Sequence, residues 1–305
     1  MNLLSLLLGL LILAPSAFAE ESQFTFTYTT DLLPKDKKEV EQWATWRHRK
    51  ISGYFDMVEG RTELEYGVAD DFQVALYTIY DWTQAYHNGP NGATTPPEPF
   101  SYDTPDADAH YHGTRYVGTA VEGIYRVLSP YTDPVGLALY EEPTVGQGFI
   151  ESETKIILQK SFLEDRLILA LNLTYAPEWR HYSPGSDTDN DSGGTTYSWD
   201  EELDANAYLA ASYRFRENWS AGFEFLHERE YSSSYDFKKL ANCGYYLGPS
   251  VHYGGKTFFV SATTLEQMPW AKNHTNTVDG ALVGGRLFDN DFELYRLRVK
   301  LGYYF

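Results

Sequence analysis

Charged side chains at alternate positions are the residues of this sequence that are best placed for chemistry. They occur in three strand-like segments, and they are Glu59, Arg61, Glu63, Glu65, Glu122, Arg126, Arg296, Arg298 and Lys300. Residues two apart share one face of a β-strand, so each row predicts a charged surface. If these surfaces line a pore, a basic row opposite acidic walls would align a polar or zwitterionic solute.

The same charges also fit a different arrangement. In a narrow closed sheet, opposite charges pair across the interior and fill it, which leaves little or no channel. The sequence alone does not choose between a charged pore and a plugging network.

One pair of residues has the spacing of a nucleophile and its base. His181 and Ser183 are two apart, which is similar to the arrangement in the outer-membrane phospholipase family. Nucleophilic catalysis also needs a third, orienting group, and no asparagine can be assigned to that role. Pro184 and Gly185 follow directly, and the rest of that family's pattern is missing. The sequence therefore predicts no catalytic residue, and a lipid hydrolase is a remote alternative.

Metal-ligating patterns are incomplete. The segment 187–191 has carboxylates at alternate positions, but Ser192 and Ser198 stand where a calcium-binding loop has glycine and glutamate. His110 and His112 do not have the spacing of a strong zinc motif. We expect no metal site and no cofactor.

The end of the chain indicates the element that would position the basic row. Apolar or aromatic residues occupy the alternate positions, and they are Tyr295, Leu297, Val299, Leu301, Tyr303 and Phe305. A strand with one face in lipid and one in a polar lumen has this pattern. A final strand that ends on phenylalanine resembles the signal that bacterial outer-membrane barrels present to their insertion machinery.

The start of the chain predicts export. An apolar run is followed by Ala17 and Ala19, the small residues that a signal peptidase needs, with cleavage before Glu20. Residues 1–19 are therefore a predicted signal peptide, and the apolar run is too short for a stable membrane anchor. We expect residues 20–37 to form a periplasmic or lumen-associated extension and residues 38–305 to form an outer-membrane β-barrel.

Composition agrees with a barrel. The chain has 25 Tyr, 17 Phe and 7 Trp. The aromatic girdles of a barrel at the two membrane interfaces are built from such residues. The formal net charge of −19 excludes a nucleic-acid partner, which needs a cationic face. The single cysteine, Cys243, has no partner for an internal disulfide.

Alternating segments predict an all-β fold, a closed antiparallel transmembrane barrel of about twelve strands, with ten or fourteen as alternatives. Short turns alternate with three long loops at 87–112, 181–199 and 268–290. The predicted segments are 38–50, 53–68, 72–86, 113–128, 136–145, 149–161, 166–180, 200–216, 219–231, 239–252, 257–267 and the final strand.

Four stretches carry a family resemblance. They are TTDLLPKDKKEVEQW (29–43), RVLSPYTDPVGLALYEE (126–142), KIILQKSFLED (155–165) and LGPSVHY (247–253). Together they resemble an uncharacterised family of bacterial exported proteins, taken to be outer-membrane barrels. The resemblance implies a fold and a location, but no catalytic or ligand residue.

We expect a non-enzymatic protein of the outer membrane of a Gram-negative bacterium. Porin-like passage of small polar solutes is the predicted function, and the alternative is a closed barrel for structure or surface recognition through acidic extracellular loops. Expected partners are outer-membrane lipids, lipopolysaccharide, the barrel-insertion machinery and a small polar solute.

Overall fold

The computed structural model describes residues 23–89, 91–95, 107–182, 198–271 and 280–305. The predicted cleavage residues Ala17 and Ala19, and the candidate nucleophile Ser183, lie outside these ranges. Within them, no helix is long and apolar enough to cross a membrane.

Twelve antiparallel strands close into one barrel, as the alternating sequence predicted. The strand bounds agree with the predicted segments to within a few residues. In chain order the strands are β1 (Lys38–His48), β2 (Tyr54–Ala69), β3 (Phe72–Tyr86), β4 (Tyr111–Leu128), β5 (Gly136–Gly146), β6 (Phe149–Phe162), β7 (Leu167–Tyr182), β8 (Ser198–Arg216), β9 (Trp219–Tyr231), β10 (Leu240–Gly254), β11 (Phe258–Gln267), β12 (Gly280–Val283), β13 (Arg286–Asp289) and β14 (Tyr295–Tyr304).

Strands β12 and β13 are the exception, because they form a separate two-stranded hairpin. The sequence predicted an unbroken loop at 268–290. Gly284 and Gly285 both have positive φ, 59° and 78°, and glycine adopts this conformation at the centre of a tight hairpin turn without steric cost.

The first and last barrel strands close the sheet. β1 pairs with β14 in an unbroken register from Glu39 opposite Tyr304 to His48 opposite Tyr295. The backbone N–H of Phe305 donates to the carbonyl of Lys38 at 3.0 Å. Each of the twelve strands therefore has a neighbour on both sides, which is the condition for a sheet to survive in hydrocarbon.

The two ends of the barrel differ. Both termini of the barrel sheet lie at one end, which we call the turn end, together with short connections such as Asp70–Asp71 and Glu217–Asn218. Strands β3, β7 and β11 end at the opposite end of the barrel, which we call the loop end.

The outer surface of the wall is mainly apolar. Exposed aliphatic side chains lie along the middle of the strands, and examples are Leu64, Leu76, Val121, Ile156, Leu209 and Val299. Exposed aromatic side chains lie nearer the strand ends, and examples are Trp46, Tyr54, Trp179 and Tyr295 at the loop end and Tyr125, Tyr213, Trp219 and Tyr303 at the turn end. An aliphatic band between two aromatic girdles matches a bilayer core and its two interfaces.

This surface gives a test of membrane embedding. Leu209 on β8 is 52 % exposed, and its register partners are the apolar residues Leu171 and Phe225. Because arginine near the bilayer midplane is costly, we expect Leu209→Arg to lower the free energy of unfolding by about 2 to 4 kcal/mol in lipid vesicles. Denaturant unfolding measures the change.

Leu163 provides the matched control, because it is 64 % exposed but lies in the β6–β7 turn at the turn end. Leu163→Arg is expected to cost about 0 to 1 kcal/mol. Equal, small effects of the two substitutions would contradict a lipid-facing wall.

Candidate functional site

An irregular segment, residues 23–33, lies inside the barrel, and we call it the lumenal segment. Apart from Tyr28 and Asp31, its residues are at most 6 % exposed. Glu224 on β9 accepts hydrogen bonds from three successive backbone N–H groups, those of Thr25, Phe26 and Thr27, at 2.8 to 2.9 Å. One carboxylate thus holds three amides through charge-assisted hydrogen bonds.

Wall amides hold the rest of the lumenal segment. On β7, Asn172 accepts from the backbone N–H of Tyr28 at 2.6 Å and donates to its carbonyl at 2.9 Å. Gln159 on β6 accepts from the N–H of Thr30 at 2.7 Å. Near the turn end, the N–H of Leu33 donates to Gln73 on β3 at 2.8 Å. The segment therefore crosses the lumen from β9 to β3.

Apolar contacts fill the space around it. Phe24, Phe26 and Leu32 each enter a different cluster of wall side chains, and each buried side chain of this size contributes about 1.5 to 3 kcal/mol. The principal wall partners are Ile168, Ala170 and Ala210 for Phe24, Leu226, Tyr246 and Leu265 for Phe26, and Ile124, Ala138, Tyr140 and Ile157 for Leu32. The half of the lumen near the turn end is therefore packed.

Towards the loop end the lumen contains a cavity of about 280 Å³, with a second of about 170 Å³ beside it. Phe26 and Tyr28 of the lumenal segment contribute to the lining of the larger cavity. Side chains shared by both cavities are Arg61, Glu151, Glu153 and Glu178.

Positive and negative side chains lie on different parts of the larger cavity. The arginines belong to β1, β2 and β14, and they are Arg47, Arg61, Arg296 and Arg298. The carboxylates belong to β6–β9, and they are Glu151, Glu153, Glu178, Asp204, Glu228 and Glu230. Among the described residues of β6–β9 that line the larger cavity, Lys155 on β6 is the one base. This separation of charge creates a field across the cavity.

Several of these charges are paired. Arg296 makes a bidentate pair with Glu228, with N–O distances of 2.6 and 2.7 Å, and it also pairs with Glu293 in the connection before β14. Arg47 lies 3.2 Å from Glu59 and 3.6 Å from Glu293. Burial by itself would raise the pKa of Glu293, but the guanidinium groups of Arg296 and Arg47 outweigh it and hold that pKa below its usual value.

Arg298 differs from its neighbours. Its guanidinium donates to Thr45 Oγ1 at 2.7 Å and to the carbonyl of Thr25 at 3.2 Å, and it lies 4.0 Å from the ring centre of Phe26. It forms no ion pair with a carboxylate of the described residues. Glu151 and Asp204 likewise form no ion pair within the described ranges. These three side chains line the cavity without an ion-pair partner within 4.0 Å among the described residues.

The charged residues predicted from the sequence lie at two levels of the lumen. Those that line a cavity are Glu59, Arg61, Arg296 and Arg298. Those that lie nearer the turn end are Glu63, Glu65, Glu122, Arg126 and Lys300. Arg126 donates to the carbonyl of Thr30 at 3.3 Å, so it contacts the lumenal segment. A role for any of them in solute passage stays a prediction.

Sequence reasoning missed some of the lining. Arg47 follows the same alternation as Glu39 and Glu41 on β1, so parity alone would have identified it. Phe26 and Tyr28 carried no such signal, because their alternation looks like that of a wall strand.

The other predicted residues lie on the outside or at the loop end. The final strand directs Tyr295, Val299, Leu301 and Tyr303 outward, with Phe305 exposed after it and Leu297 partly buried. Their role as an insertion signal stays a prediction. The ring of His181 lies 4.9 Å from that of Trp199, and its proposed partner Ser183 is outside the described residues.

Comparison with solved structures supports the fold. The chain is similar to the COG4313 outer membrane channel from Pseudomonas putida F1, with a TM-score of 0.53, 10 % identity, and coverage of 90 % of this chain and 97 % of that one. It is also similar to the NanC porin, with a TM-score of 0.48, 9 % identity, and coverage of 87 % and 98 %. At this identity the likeness concerns the fold alone.

No curated protein matches the chain in sequence. A family model does match, and it covers residues 16–305. The resemblance found in the sequence is thereby confirmed: the chain belongs to a family of outer-membrane-type barrels described as the Family of unknown function (DUF6662).

Proposed function

We propose that this protein resides in the bacterial outer membrane and admits small polar solutes through its lumen, with the lumenal segment closing the turn end at rest. The observation that carries the proposal is the cavity at the loop end, where Arg298 on one side and Glu151 and Asp204 on the other have no ion-pair partner within the described chain. A solute with both charges would satisfy both sides.

The hydrogen bonds of the lumenal segment support the proposal that it closes the lumen reversibly. Its backbone N–H groups at 25–28, 30 and 33 donate to wall side chains, while the twelve strands complete their own pairing without it. The segment can therefore leave the lumen without breaking the sheet. Its withdrawal would join the loop-end cavities to the turn end.

The outer surface supports the proposed location and partners. The aliphatic band would contact outer-membrane lipids, and the loop end would contact lipopolysaccharide. The outward row that ends at Phe305 would be recognised by the barrel-insertion machinery. The likeness to an outer membrane channel fits a non-enzymatic role.

A closed barrel for surface recognition is the second candidate. The packing of Phe24, Phe26 and Leu32 in the turn-end half favours it, because a permanently filled lumen passes nothing. Conductance across a planar bilayer distinguishes the two functions, because a solute channel conducts ions and a permanently closed barrel does not.

Removing the carboxylate that holds the lumenal segment is expected to open the barrel. Glu224→Ala deletes five hydrogen bonds to the segment, three from backbone N–H groups and two from threonine hydroxyls. At about 1 kcal/mol for each of the three backbone bonds alone, the open fraction should increase on the order of 100-fold or more. Deleting residues 23–33 should have a larger effect. Single-channel recording in planar bilayers counts the openings.

Glu141→Ala is the matched control, because this exposed carboxylate on β5 accepts from Ser152 and Thr154 and does not touch the lumenal segment. It should leave the openings unchanged. A barrel without residues 23–33 that inserts but never conducts would reject the passage proposal and leave the recognition barrel.

The ion selectivity of the open barrel tests whether the guanidinium of Arg298 faces the pathway. In the barrel that lacks residues 23–33, Arg298→Gln should shift the ion permeability ratio severalfold towards cations, because it removes a positive charge that faces the cavity. Reversal potentials in a salt gradient measure the ratio. Arg166→Gln, in the exposed β6–β7 turn, is the control, and equal ratios for both variants would remove Arg298 from the pathway.

A further inference from the structure

Four glutamates lie side by side on the lumenal face of β1 and β2. The register places Glu39 opposite Glu65 and Glu41 opposite Glu63. All four are at most 3 % exposed. Like charges directly opposite each other destabilise an antiparallel pair, and burial removes the water that would screen them. A compensating positive charge, or a proton shared between neighbouring carboxyls, is therefore needed.

The described residues supply only part of that compensation. Lys300 Nζ lies 3.1 Å from Glu41 Oε1, and the side-chain amide of Gln73 donates to Glu65. Lys300 brings one positive charge to this group of four carboxylates, and Arg298 also attracts Glu41. Glu122, which accepts hydrogen bonds from Tyr77 and Tyr28, adds a further carboxylate nearby rather than a cation.

Glu63 is the member of the group that points to a ligand. Neither of its carboxylate oxygens has an N–H or hydroxyl donor among the described residues, and its hydrogen-bond neighbour is the carboxyl group of Glu65, although the residue is 98 % buried. One oxygen of Glu63 lies within 4.8 Å of oxygens of Glu41 and Glu65. Oxygens that share one calcium ion at about 2.3 to 2.6 Å are separated by up to about 5 Å, so the spacing suits a common cation.

We propose that Glu41, Glu63 and Glu65 bind one hard divalent cation, calcium in preference to magnesium. An all-oxygen carboxylate set selects hard cations, and calcium accepts the irregular geometry of ligands fixed on a sheet, whereas magnesium demands a near-ideal octahedron. The sequence predicted no metal site, because strand register rather than sequence spacing brings these carboxylates together.

The site is connected to the lumenal segment. Glu65 accepts from the amide nitrogen of Gln73, whose amide oxygen accepts from the N–H of Leu33 at 2.8 Å. A cation that fixes Glu65 therefore also fixes the end of the segment next to β1. Cation binding does not depend on solute passage. A barrel that binds no calcium could still conduct, and a barrel that never conducts could still bind calcium.

Refolding with and without calcium tests the site. The mature protein is unfolded in urea with EDTA and then refolded in detergent free of lipopolysaccharide, in either calcium or EDTA. We expect one calcium ion per chain after dialysis, measured by atomic emission, and a higher unfolding temperature than in EDTA. Glu63→Gln keeps the shape of the side chain but should weaken calcium binding by about tenfold or more.

Glu142→Gln is the matched control, since Glu142 is a buried lumenal carboxylate on β5 that accepts from Tyr140 and lies outside the three ligands. It should retain its calcium. Folding of each variant is checked by its mobility in unheated gels, and Glu65→Gln replaces Glu63→Gln if the latter does not fold. No retained calcium in the parent protein, or equal calcium in the parent and the Glu63 variant, would overturn the proposal.

Discussion

The structure depends on the pairing of β1 with β14. Once these two strands join, every barrel strand donates and accepts backbone hydrogen bonds on both sides, and no edge remains exposed. A sheet with an open edge would leave N–H and C=O groups unsatisfied in hydrocarbon, at several kcal/mol each. Closure permits the outer surface to be apolar, and it also forces half of the side chains of every strand into a confined interior.

The interior is organised in two layers as a consequence. Near the turn end, the lumenal segment and buried glutamates pack against the wall side chains, and Glu224 and Asn172 replace the hydrogen bonds that water would give to the segment. Near the loop end, the charges separate into a basic side and an acidic side around open space. Under the proposed function, the first layer would determine whether a solute passes, and the second would determine which solutes are attracted.

Local sequence signals were sufficient for the wall and insufficient for the interior. Alternation is a property of each strand alone, so the strands and the inward direction of residues such as Arg298 could be predicted. Which charges meet depends on strand tilt and stagger, and the pairing of Arg296 with Glu228 could not be read from spacing. Residues 23–28 alternate as a wall strand does, so periodicity could not place Phe26 inside the barrel. The β12–β13 hairpin was missed because its two strands are only four residues long.

Hydrogen exchange of the folded protein in lipid bilayers tests the closed sheet most directly. If β1 and β14 complete the barrel, backbone amides between Glu39 and His48 and between Tyr295 and Tyr304 will exchange as slowly as those in the middle of β7 and β8. Rapid exchange confined to β1 and β14, with protection elsewhere, would show an open edge and contradict the account.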